Sequence, residues 1–101
     1  MARLSSINTN NHRQKMAQKF AARRQKLKDV ISNKEISLDD RIQATIKLSE
    51  LPRNSSKIRF RNRCEVTGRP RAFYRKFRMS RIALRELGSL GLIPGLTKSS
   101  W

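Results

Sequence analysis

An excess of seventeen positive charges, twenty-four lysines and arginines against seven acids, governs the structural options open to this chain of 101 residues. Gathered in one small domain those cations repel one another, and colloidal solubility asks for a net charge of only about 2–8. The excess therefore implies a polyanionic partner that neutralises it on binding, with nucleic acid the first candidate and an anionic membrane surface the second. Little is left to build an interior. Apolar residues make up 37% and charged residues 31%, against roughly 45–50% (counting Gly) and about 25% in ordinary soluble domains. The length allows one domain with a small core. Apolar runs of a few residues fall far short of the ~20 needed to span a bilayer. Cys64 is the only cysteine, so no intramolecular disulfide forms. The N-terminal stretch lacks the apolar centre of a secretory signal, while its basic, serine-containing, acid-free composition leaves an organelle transit peptide open.

From about Asn10 to Ile31 helix formers dominate, and Met16, Phe20, Leu27 and Ile31 recur at helical spacing, which predicts a long helix. Seven lysines and arginines surround that narrow stripe and no acid precedes Asp29, so the helix is expected to face RNA. After a break at Ser32-Asn33-Lys34, Ser37-Leu38-Asp39-Asp40 reads as a helix start with Ser37 as N-cap and two carboxylates at the positive end of the dipole. Ile42, Ile46 and Leu48 to Leu51 supply its apolar face, and Pro52 ends it. Four of the seven acids lie between Glu35 and Glu50. This helix is accordingly the segment least suited to RNA, and either folds back on the first helix or meets another protein. Arg53 to Arg63 contains no acid, and alternation of Ile58 and Phe60 with Arg59 and Arg61 predicts an extended basic arm that orders on RNA.

In the remainder, Glu65 to Pro70 carries the Gly and Pro of a tight turn, Ala72-Phe73-Tyr74 suits a short strand, and Ser80 is placed to cap a helix through Leu87 with Gly88 as its C′ residue. The expected fold is mainly α with irregular extended arms. It divides into a basic helical extension over 1–52, an arm over 53–63 and a compact C-terminal module over 64–101.

An enzyme needs a nucleophile with its base, an acid–base pair or an open metal site. His12 is the sole histidine and stands in a polar stretch, and Glu65 and Glu86 stand among arginines, where ion pairing is the expected role. The candidate site is instead a basic constellation: Arg59, Arg61, Arg63, Arg69, Arg71, Arg75, Lys76, Arg78, Arg81 and Arg85, interleaved with Phe60, Phe73, Tyr74 and Phe77. Arginine predominates, and its planar fork both grips phosphate in bidentate fashion and stacks on bases, which favours structured RNA. The Phe rings suit a small core; Tyr74 suits both core and base stacking.

The motifs RCxxxGRPR (Arg63–Arg71), YRKF (Tyr74–Phe77), SRIALREL (Ser80–Leu87), IPG (Ile93–Gly95) and KSSW (Lys98–Trp101) resemble the C-terminal region of the uS-fourteen family of small-subunit ribosomal proteins. AARR (Ala21–Arg24) and ELPRNSS (Glu50–Ser56) are similar to its long bacterial form. The likeness reaches the first residues, which argues against a cleavable transit peptide. It adds Arg23, Arg24, Arg53, Asn54, Lys98 and Trp101 to the residues expected to meet RNA. A short branch of the family carries a four-cysteine zinc ribbon, and the corresponding positions here are Cys64, Thr67, Ser80 and Ala83. With one thiolate left of four, no metal and no other cofactor is expected, and the C-terminal module is expected to keep a zinc-ribbon-like shape without the ion. The resemblance further implies a place in the head of a cytoplasmic small ribosomal subunit, on the 3′ major domain of its rRNA, beside proteins S-three, S-ten and S-nineteen, supporting assembly and the decoding site. An organellar ribosome is the alternative left open. A DNA-compacting protein would show an apolar dimer face and a membrane-active peptide a cleanly amphipathic helix; neither is visible.

Overall fold

The computed structural model describes residues 2–99 and is mainly helical. The chain divides into two compact units, Thr9–Phe60 and a second that joins the start of the chain, up to Asn8, with Arg61 onward.

The longest element, α1, runs Leu4–Ser32. It starts well before the Asn10 expected from sequence, because Asn8, Thr9, Asn10 and Asn11 are weak helix formers that hide the true start. Tertiary contact overrides propensity there. Ile7 is half-buried, and a Cβ built on Gly68 would lie 2.7 Å from its Cδ1, so the first turn is held against the C-terminal part of its own unit. Met16, Phe20, Leu27 and Ile31 are all half-buried, which matches the stripe read from sequence. The cations around them are exposed except Arg13 and Arg24, which are half-buried.

The second helix, α2, spans Leu38–Glu50, with Ser37 Oγ accepting the Asp40 N–H at 3.4 Å and Asp39 and Asp40 in the first turn. Its end at Leu51 and Pro52 is also as the sequence predicts. Ala44 is buried and Leu48 half-buried, whereas Ile42 and Ile46, counted above in the apolar face, stand in solvent.

The arm is not a plain extended strand. Residues Arg53–Ser55 and Lys57–Arg59 form two successive 3₁₀ turns, and only beyond Phe60 does the chain run without regular structure to Arg63. No neighbouring strand offers hydrogen bonds here among the described residues, so the backbone satisfies itself through i→i+3 bonds such as Ser55 N–H to Pro52 O at 3.0 Å. The alternation that suggested a strand has no buried face behind it: Ile58 is 92% exposed.

In the other unit β1 (Phe73–Tyr74) pairs antiparallel with β2 (Met79–Ser80), Phe73 opposite Ser80 and Tyr74 opposite Met79. Arg78 closes the connecting loop at φ 56 and donates its N–H to Tyr74 O at 2.8 Å. The strand leads directly into α3 (Arg81–Ser89), capped by the fully buried Ser80, whose Oγ accepts the Ala83 N–H at 3.3 Å. Gly88 is not the C′ residue. It lies inside α3, and the left-handed position falls to Gly91 (φ 72), with Leu92 N–H bonded to Leu87 O and Gly91 N–H to Gly88 O, a Schellman closure. At 88 the helix is closely covered instead: a Cβ there would meet Leu96 Cδ2 at 2.6 Å, so that side chain would have to shift, where the tail folds back over the helix. Cys64, Ala83 and Leu84 form the small core of this unit.

Candidate nucleic-acid interface

The turn after Arg63 folds around its cysteine. Cys64 N–H donates to Arg69 O at 3.0 Å, Gly68 N–H returns to Cys64 O at 2.8 Å, and Gly68 takes φ 78. The buried sulfur accepts the Thr67 N–H at 3.5 Å. Burial pushes the thiol pKa up, but hydrogen bonds from the Thr67 side chain and from backbone groups of Ser80, Thr67 and Val66 outweigh it and lower the value to about 6. The four positions expected to correspond to the zinc-bearing branch are linked by hydrogen bonds, Thr67 and Ser80 to Cys64 and Ala83 to Ser80. Their chemistry does not suit zinc: one thiol, two hydroxyls and a methyl are offered, and the Ser80 hydroxyl is taken up in capping α3. Among the described residues no cluster of three or more His, Cys, Asp or Glu is present.

This framework sets the cations around it. Arg63 is half-buried and donates through Nη1 to Gly68 O at 3.0 Å, and Arg69, also half-buried, donates through Nε to Arg71 O at 3.3 Å. Both arginines brace the turn. Arg71, Arg75, Lys76, Arg78, Arg81 and Arg85 are exposed, Arg78 with its Nε 3.4 Å from Glu65 Oε1 and Lys76 with its Nζ 5.6 Å from the Phe77 ring centre. Arg81 and Arg85 stand one turn apart on α3 and border a groove of about 770 Å³ whose apolar wall includes Tyr74, Ile82 and Leu90. Tyr74 is 47% exposed, while Phe73 and Phe77 are half-buried, so the tyrosine is the most open of the three rings. Lys98 donates to Ser89 Oγ at 3.2 Å; Trp101 lies outside the described residues.

Five of the expected residues, Arg23, Arg24, Arg53, Asn54 and Arg59, and with them Phe60, belong to the helical unit. Arg24 is turned onto protein there: its Nε donates to the buried Ser55 Oγ at 2.9 Å and its Nη2 to Pro52 O at 3.5 Å, pinning the first 3₁₀ turn to α1. Arg23 and Arg53 are exposed, Arg23 with its guanidinium 5.6 Å from the Phe20 ring centre.

Two contributions escaped the sequence reading. Ala2 N–H bonds to Thr67 O at 3.4 Å, so this segment supports the basic turn; the only hint was the apolar Ile7, since Leu4 stands 71% exposed. Ala72 takes φ 53 without being glycine, and its carbonyl receives the Arg81 N–H at 2.8 Å, joining hairpin to helix; nothing in its side chain signals this.

A family model described as Ribosomal protein S14p/S29e matches residues 47–100. Proteins named Small ribosomal subunit protein uS14 are similar over 101 residues, the whole of both chains: 61% identical from Xanthobacter autotrophicus, 60% from Bartonella bacilliformis and 56% from Phenylobacterium zucineum.

Proposed function

The chain belongs to the uS14 family of small-subunit ribosomal proteins, S14p/S29e, a family of structural proteins and not of enzymes, and from that membership we propose that it binds small-subunit rRNA through the cations ranged around the Cys64 turn. The single observation that carries this reading is the exposed arc of Arg71, Arg75, Lys76, Arg78, Arg81 and Arg85 on a framework stiffened by backbone hydrogen bonds. Arginine forks and the Tyr74 ring would grip phosphates and stack an unpaired base, and Arg23, Arg53, Asn54, Arg59, Arg61 and Lys98 extend the contact.

The C-terminal module is read as a zinc-ribbon-like unit in which hydrogen bonds to Cys64 and Ser80 stand where metal bonds would be, and the single cysteine supports assigning the chain to the long zinc-free branch. Its site in the subunit is the head, on the 3′ major domain of the rRNA beside S-three, S-ten and S-nineteen, where it holds rRNA helices in position for assembly and decoding in cytoplasmic ribosomes. Replacing Arg71, Arg75 and Lys76 together with Ala should weaken binding to small-subunit rRNA at least tenfold in a filter-binding titration, and replacing Asp39 and Asp40 should not. Equal effects from the two sets would overturn this choice of surface.

A further inference from the structure

The seven acids are unevenly placed. Between residues 35 and 50, four of them (Glu35, Asp39, Asp40, Glu50) face two cations (Arg41, Lys47), a local net charge of −2 in a chain of +17. Arg41 is turned inward, its Nε donating to Ile31 O at 3.1 Å. It lies with buried Ala44 and half-buried Leu48 on the covered side of α2. The other side carries Leu38, Ile42 and Ile46 in a row one turn apart, 67%, 49% and 51% exposed. At about 100° per residue Asp39 and Glu50 fall along one flank of this row. Thr45 and Ser49 fall on or beside it, and their hydroxyls are spent on the carbonyls of Arg41 and Ile46. The row is therefore apolar in practice, and the charges that border it are negative.

Such a face repels phosphate and leaves three large aliphatic side chains in water. We propose that this side of α2 docks a basic protein of the small subunit, one presenting an apolar strip edged with lysine or arginine, while the RNA is held elsewhere on the molecule. The inference rests on the ribosomal reading above.

The test uses the full chain carrying a benzophenone amino acid at Ile46, and separately at Arg81, incorporated into small subunits and irradiated. The expected result is a single protein adduct from position 46, whose attached peptide has an excess of Lys and Arg, and a nuclease-sensitive RNA adduct from position 81. Adding Asp39→Lys and Glu50→Lys to the position-46 chain should lower its protein adduct at least tenfold, with incorporation unchanged. From position 46, an RNA adduct, a second copy of this chain, an acidic peptide or no adduct in correctly incorporated subunits overturns the proposal. A chain that does not enter subunits, or gives no RNA adduct from position 81, sinks the ribosomal reading instead.

Discussion

Cys64 is buried at the hub of the C-terminal unit, bonded to the turn that follows it. Its sulfur sits in a set of hydrogen bonds, and the consequence is measurable as a pH effect. The folded chain holds the thiol at about 6 against 9.0 for an unperturbed one, so the folded state gives up this proton first. Stability from this group is then complete above about 9 and lost as pH falls through 6. Denaturation of the full chain should show stability rising from pH 6 to pH 9, and Cys64→Ala should flatten that rise; an unchanged slope would show that the thiolate is not favoured by folding. Gly68 answers a different demand at the same turn. Its positive φ was legible from the turn composition, but the approach of Ile7 was not, because those two residues stand far apart in sequence.

The elements divide according to whether their cause is local. Both helices that start at serine were legible in the sequence, since a cap and the residue three positions on carry the whole signal: Ser37 with Asp40, Ser80 with Ala83. Replacing Ser80 with Ala should cost about 1 kcal/mol in the stability of α3, read as faster amide exchange at Ile82 and Ala83 in the RNA-bound chain; unaltered exchange would mean that packing alone starts the helix. The basic constellation was legible as a list, but not its division of labour. Arg24, Arg63 and Arg69 bond to protein oxygens while Arg71 and Arg81 stand in solvent, a choice made by folding and not by residue type. The 3₁₀ turns after Pro52 were likewise hidden, because Ser55 is fixed by Arg24, remote in the chain, and so was the exchange of roles between Gly88 and Gly91, because either glycine could supply the positive φ that closes α3.

At the scale of the whole molecule, charge dominates. Few side chains are fully buried, and the excess of seventeen cations opposes compaction unless phosphate surrounds it. Binding that neutralises 6–10 phosphates should weaken by about 10³–10⁵ between 50 and 200 mM salt on the duplex scale, and by less where the RNA is single-stranded. A salt titration giving a flat affinity would remove electrostatics as the driving term. The sequence alone conveyed this level best, since net charge needs no knowledge of contacts. One arrangement sets a timetable as well as a shape. Ala2 and Ile7 rest against Thr67 and Gly68, so these contacts can form only after the whole Thr9–Phe60 unit that separates them in sequence has been made, and a closure spanning so much chain comes late.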